Sequence, residues 1–287
     1  MHRRGLILAA SSLTAALAGA CSPLTAFNTL APRDAAARAG RDIAYGPDPR
    51  QRLDVYAPKG GAAGAPVLVF FYGGGWNSGR RQDYAFAGRA LASRGFLTVV
   101  PDYRLVPQVR YPDFLTDCAA AVSWAHAHAA AYGGDPDRIV LAGHSAGAYN
   151  AVMLALDRRY LREVGVDSRL IRAAAGLSGP YDFLPFRVES TIATFGAAAD
   201  PADTQPINHV TAGAPPMFLA HGDKDTLVYP KNTLALGAAL AKAGDVAEVK
   251  IYPGLSHADT VLALSKLFRG KASVLADMTD FLKIHAG

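Results

Sequence analysis

The most restrictive stretch of this chain is Gly143-His144-Ser145-Ala146-Gly147, because of what lies on either side of it. Before it, Arg138-Ile139-Val140-Leu141-Ala142 is a short apolar run that reads as a buried strand. After it, Ala148 to Asp157 reads as a helix. Strand, Gly-x-Ser-x-Gly, helix is the context of a nucleophile elbow. A serine on so sharp a turn takes a strained backbone conformation, and side chains two positions away on either side would collide. Glycine at 143 and 147 removes both collisions. The Ser145 hydroxyl should then stand clear of the sheet, with the Ala146 N–H aimed where an oxyanion would form. Alone, the pentapeptide also fits a plain glycine-rich connection, so the reading depends on partners elsewhere.

With 287 residues, 51% of them apolar, the chain is long enough to bury one large α/β core. Charged residues make up 18%, which argues against disorder. Formal net charge is +5, falling to +3 without Arg3 and Arg4, and no basic run stands out. A nucleic-acid partner is therefore not expected. His2-Arg3-Arg4, the apolar stretch Gly5 to Ala18, and Gly19-Ala20-Cys21 read as an export signal over residues 1–20, too short and alanine-rich for a membrane span. Leu17-Ala18-Gly19-Ala20-Cys21 is similar to a lipoprotein signal, although Ala18 stands where a bulky aliphatic is usual. Cys21 is thus expected to carry lipid, with a periplasmic or membrane-anchored protein as the result; simple secretion after cleavage near Ala20 is the alternative. The other cysteine, Cys118, lies in an apolar helical pattern and reads as a core residue.

Residues 21–42 read as a tether and 43–287 as one catalytic domain. Leu53-Asp54-Val55-Tyr56 alternates like an edge strand. Val67 to Phe71 and Phe96 to Val100 read as buried strands, Ile139 to Ala142 as the strand feeding Ser145, and Ala173 to Leu177, Met217 to Ala220 and Val249 to Tyr252 as further strands. Helical patterns fall between several of them, with a closing helix over Ser273 to Ile284. The alternation predicts a mostly parallel sheet with helices on both faces. Phe183 to Thr211 is left as a small lid, with Phe183, Phe186 and Phe195 as its apolar content.

A serine hydroxyl needs a base, and the base needs an orienting acid. In such sheets these follow in the order Ser, Asp or Glu, His. Asp225 lies past the strand Met217 to Ala220, and His257 past Val249 to Tyr252, each in a loop at a strand's carboxyl end. Asp223 competes with Asp225, and the longer loop favours Asp225. His221 is the best rival to His257, although it sits very near the strand end. His126 and His128 are two apart on a helix and cannot share a face. His144 is grouped with Trp76 as substrate-binding, though its ring should point away from Ser145. Tyr72-Gly73-Gly74-Gly75-Trp76 follows a buried strand, where the second set of oxyanion donors belongs; the N–H groups of Gly74 and Gly75 are expected to join that of Ala146. No His, Cys or carboxylate cluster has metal-ligand spacing, and this chemistry calls for no cofactor.

Tyr72 to Trp76 resembles the His-Gly-Gly-Gly-Trp oxyanion loop of α/β-hydrolase carboxylesterases in the hormone-sensitive-lipase-like and feruloyl-esterase-like group. Pro101-Asp102-Tyr103-Arg104-Leu105-Val106-Pro107-Gln108 resembles that group's Asp-Tyr-Arg-Leu-x-Pro segment, and Tyr132 to Arg138 its run into the nucleophile strand. Ser178-Gly179-Pro180-Tyr181-Asp182 is similar to a segment of arylformamidases and isoprenylcysteine-methylesterase-like enzymes. The resemblance implies an α/β-hydrolase fold and hydrolysis of a small, short-acyl carboxylic ester through Ser145, His257 and Asp225. Arylformamidase-type amide hydrolysis and a catalytically silent lipoprotein are the alternatives. Tyr72 departs from the family's histidine and Gln108 from a common glutamate. Oligomeric state stays open.

Overall fold

The structure, a computed structural model, describes residues 27, 28 and 31–287. The expected signal at 1–20 and the acceptor Cys21 lie outside the described residues.

The long β-branched and aromatic runs do form the centre of a sheet. Its strands are β1 (Ala36–Ala44), β2 (Arg52–Pro58), β3 (Ala65–Phe71), β4 (Leu97–Pro101), β5 (Gly134–His144), β6 (Ile171–Leu177), β7 (Met217–Gly222) and β8 (Ala247–Tyr252). They lie in the order β1-β2-β4-β3-β5-β6-β7-β8. β2 pairs antiparallel with both β1 and β4; from β4 across β3 to β8 every pairing is parallel. Val67 to Phe71 and Ile139 to Ala142 lose all solvent contact, as strands covered on both faces must.

Helices α1 (Ala85–Ser93) and α8 (Val274–Ala286) pack on one face. On the other lie α2 (Asp113–His128), α3 (Ala146–Leu156) and α6 (Lys231–Ala243), the last a helix the sequence reading leaves unassigned. The shorter helices are α4 (Arg158–Glu163), α5 (Glu189–Phe195) and α7 (Asp259–Leu262). Within 183–211, α5 is followed by two single-turn helices, and Phe195 is buried edge-on to Trp76 at 4.8 Å between ring centres. The lid is therefore pinned to the core by its own aromatic side chain.

Two expectations are corrected. The segment read as a tether through residue 42 is strand from Ala36 onward, so the edge of the sheet is β1 and not the strand at Leu53. Alternation misleads there because Asp54, taken for an outward polar residue, is buried and accepts from Arg81 Nε at 3.2 Å and the Asp42 N–H at 2.9 Å. β1 has almost no β-branched residues to announce it; its backbone pairing with β2 defines it.

Candidate active site

The elbow forms where β5 passes into α3. Ser145 sits at φ 55°, ψ −122°, a strained conformation for a residue with a side chain. Its N–H donates to the Leu177 carbonyl at 2.9 Å, tying the turn to β6. A Cβ at Gly143 would land on the Gly147 carbonyl, and one at Gly147 on the Phe71 carbonyl. Backbone crowding, from the first turn of α3 at Gly143 and from the end of β3 at Gly147, therefore demands both glycines.

Three loops at the carboxyl ends of the strands bring the ionisable groups together. The Ser145 hydroxyl lies 2.9 Å from His257 Nε2, and His257 Nδ1 lies 2.7 Å from Asp225 Oδ2. Asp225 Oδ1 accepts the N–H groups of Leu227 at 3.0 Å and Val228 at 2.9 Å. Burial alone would raise the Asp225 carboxyl. The hydrogen bonds from His221, His257 and Val228 outweigh it and hold the group well below the usual carboxylate range. Asp223 turns outward and accepts the Gly254 N–H at 2.7 Å. His221 is wholly buried, and its ring nitrogens face Thr233, the Val228 carbonyl and Asp225 Oδ2, not Ser145.

His144 does not take the substrate-binding place given to it. Alternation along β5 turns its ring away from Ser145 and into the protein, where Nε2–H donates to the His257 carbonyl at 3.0 Å. Thr260 Oγ1–H donates to the same carbonyl at 3.1 Å. The two donors fasten the loop that carries His257. Burial, with the neighbouring His257, pushes the His144 imidazole down to about 3, so it is neutral. Trp76 does line the cleft, at φ 59°, with its indole N–H on Asn150 Oδ1 at 3.1 Å.

Gly75, Trp76, Ser145 and Ala146 share the floor of a cleft of about 290 Å³, with Pro180 and Phe183 on its walls. Gly74 (φ 142°) lies just behind, and its carbonyl accepts from Ser78 N at 3.0 Å and Ser78 Oγ at 2.9 Å, which closes the loop into a tight turn. At the mouth, Leu184, Val188, Leu227 and Tyr229 are exposed beside the cations Arg187 and Lys231.

What holds the oxyanion loop from behind is absent from the sequence reading. Tyr72 is buried, its ring stacked on Tyr103 at 4.8 Å and Tyr84 at 5.5 Å. Its hydroxyl accepts from Arg50 Nη2 at 2.9 Å. The same guanidinium donates to the carbonyls of Gly79 at 2.5 Å and Tyr103 at 2.7 Å, and Tyr103 Oη donates to the Tyr72 carbonyl at 2.8 Å. Burial, followed by Asp102, raises the Tyr72 phenol far above its usual range, so it stays protonated. The rest of the 102–108 segment is structural too. Asp102 pairs with Arg81, Arg104 with Asp117 at 2.8 Å, and Gln108 reaches Asp48 at 2.5 Å. Ser178 bonds to Thr260 at 2.9 Å, and Asn232 Oδ1 accepts the N–H groups of Tyr181 and Asp182, both at 2.9 Å.

The model of the BD-FAE family matches residues 53–240. The probable isoprenylcysteine alpha-carbonyl methylesterase ICMEL1 of Arabidopsis thaliana is 31% identical over 246 residues, 77% of this chain and 51% of its own length. Esterase LipQ of Mycobacterium tuberculosis is 33% identical over 272 residues, 86% of this chain and 62% of its own. The chain thus spans between half and two-thirds of the length of these curated relatives. Two solved structures superpose over most of the fold. An esterase B of Lactobacillus Rhamnosis, inhibited by a C4-C4 tributyrin phosphonate, gives a TM-score of 0.80 at 21% identity, covering 92% of this chain and 90% of that one. The propionate-bound esterase Est2 of Thermogutta terrifontis gives 0.70 at 25% identity, covering 86% and 94%. Sheet order and superposition agree on the α/β-hydrolase fold.

Proposed function

The chain belongs to the BD-FAE family, and from that premise we propose that it is a serine carboxylesterase acting on small esters with short acyl chains. The observation that carries the reading is the run of contacts from Ser145 Oγ through His257 to Asp225, at 2.9 and 2.7 Å, opening on one apolar cleft.

The proposed reaction has two halves. His257 Nε2 takes the Ser145 proton as the oxygen attacks the ester carbonyl, while Asp225 keeps the imidazole in the right tautomer and stabilises its charge. The negative oxygen of the tetrahedral intermediate is met by the N–H groups of Ala146 and the Gly74–Gly75 turn. His257 then gives its proton to the departing alkoxide, leaving an acyl-serine. Water, deprotonated by the same nitrogen, attacks the acyl carbon and releases the acid. Ser145 recovers its proton from His257.

Short acyl groups fit a cleft of about 290 Å³, at the bottom of the ordinary range for ligand sites. The propionate held by the Thermogutta relative is in keeping with this. The segment that suggested an amide substrate, Ser178 to Asp182, directs Ser178 and Tyr181 into the interior, so nothing here favours that alternative. Our reading also places the enzyme outside the inner membrane, from the residues up to Cys21; fractionation of wild type against Cys21→Ala tests that part.

The activity test is hydrolysis of p-nitrophenyl esters from acetate to palmitate by wild type and Ser145→Ala. The expected result is turnover that falls beyond about C6 and drops roughly 10⁴-fold or more in the variant. Turnover that survives the substitution, or rises with chain length, overturns the reading.

A further inference from the structure

We propose that His221 is a positioning residue of the site: its Nε2–H is shared with the Asp225 carboxylate and sets where that carboxylate stands and how strongly it draws on His257. The inference rests on the esterase reading above.

The geometry assigns the tautomer. His221 Nε2 faces two acceptors, the Val228 carbonyl at 2.7 Å and Asp225 Oδ2 at 3.0 Å. A lone pair facing two oxygens would be repelled by both, so Nε2 carries the proton. Nδ1 faces Thr233 Oγ1 at 2.8 Å, and a hydroxyl can donate there. The ring is thus fully partnered while neutral, in a place with no solvent exposure. Its two acceptors matter jointly. Val228 is the residue whose N–H also holds Asp225 Oδ1 at 2.9 Å, so His221 braces both the carboxylate and the strap that carries it.

Asp225 Oδ2 is the oxygen that receives His257 Nδ1–H at 2.7 Å. A second donor on that oxygen spreads its charge and weakens its pull on the His257 proton. The titratable groups facing this centre from the packed elements are His144 on β5, His221 at the end of β7, Asp225 and His257 themselves; Thr233 on α6 and Thr260 on α7 contribute neutral hydroxyls. Nothing else charged is hydrogen-bonded to the carboxylate among the described residues. Removing the His221 donor therefore has a direction. Asp225 pulls harder, protonated His257 persists to higher pH, and the acid limb of the rate profile moves up.

The test is the pH dependence of kcat/KM for p-nitrophenyl acetate, and of the rate of Ser145 labelling by a fluorophosphonate. It uses wild type, His221→Phe, His221→Gln and Thr233→Val. His221→Phe keeps a ring in the cavity without an N–H; its acid limb should rise by about half to one pH unit, with kcat lowered roughly 10- to 100-fold. His221→Gln, which restores a donor, should return the limb towards wild type. Thr233→Val frees Nδ1 to take the proton, and should shift the limb the same way by a smaller amount. It decides the matter should the phenylalanine variant fail to fold. A lowered Tm with the acid limb unmoved in every folded variant would mean that His221 only fills space, and the proposal fails. Wild type that labels at Ser145 but turns over no ester sinks the esterase reading alone, because the labelling profiles still report on His221. Wild type that does neither sinks both.

Discussion

The elbow at Ser145 and the oxyanion loop at Tyr72–Ser78 face each other across one cleft, yet only the second depends on side chains from distant parts of the chain. At the elbow the constraint is steric: the first turn of α3 crowds Gly143 and the end of β3 crowds Gly147 until only hydrogen fits. Any chain making that turn must show those glycines, which is why the pentapeptide is legible. The oxyanion loop is crowded too, since a Cβ at Gly74 would land on the Ser78 carbonyl, but that crowding shapes the turn without placing it. Its position is set by Arg50, which lies before β2, and by Tyr103, which lies beyond β4. Crowding that demands glycine is visible in sequence; positioning across such separations is not.

The difference can be broken from either side. The largest effect should come from Gly147→Ala, whose methyl group would enter the Phe71 carbonyl. Its neighbours are backbone, which cannot rotate away. Loss of at least about 3 kcal/mol of stability is expected, with activity falling at least roughly 100-fold in whatever folds; urea unfolding and ester kinetics check it.

Arg50→Ala should be milder and of another kind. It leaves Tyr72, Gly79 and Tyr103 without their common donor and loosens the loop without blocking it. A fall in kcat of about 10- to 100-fold is expected, short of losing an oxyanion donor outright. KM should change little, since the cleft walls remain. Tyr72→Phe keeps both ring stacks and removes one hydrogen bond, so a loss of only about 1 kcal/mol is expected. Equal damage from Tyr72→Phe and Arg50→Ala would show that the phenol, and not the guanidinium, is the anchor.

A last effect is in pH and stability, not in rate. The His144 imidazole is held neutral down to about 3, against an ordinary value of 6.5. The unfolded chain therefore binds a proton that the folded one refuses across that range. Stability from this group is complete above about 6.5 and is lost as pH falls, at up to roughly 1.4 kcal/mol per unit. The depressed Asp225 carboxyl acts in the same direction, but only below the ordinary carboxylate range near 3.8. Thermal melts between pH 7 and 4.5 should show Tm falling in wild type and falling less in His144→Gln.

How far the molecule is legible follows the same division. Apolar runs announce β3 to β7, since a strand buried on both faces has little choice of composition, while β8 is a half-buried edge that alternates Val249 and Ile251 with Glu248 and Lys250. β1 is hidden because its stability lies in backbone pairing and in the Asp42, Asp54 and Arg81 cluster. Chain order and loop position point to Asp225 and His257. The roles of His221 and His144 behind them depend on which way a ring turns at a strand end, and composition does not record that. The Asp102-Tyr103-Arg104 segment is recognisable by resemblance, whereas its work is visible only in its partners Arg81, Tyr72 and Asp117.

The account stands most directly on one experiment. Purified protein is reacted with a fluorophosphonate at neutral pH, digested, and the modified peptide sequenced by mass spectrometry, alongside His257→Ala and Asp225→Asn. The expected result is a single adduct on Ser145, forming at least about 10³-fold more slowly in both variants. An adduct on another residue, or labelling of Ser145 at an unchanged rate without His257, would contradict it.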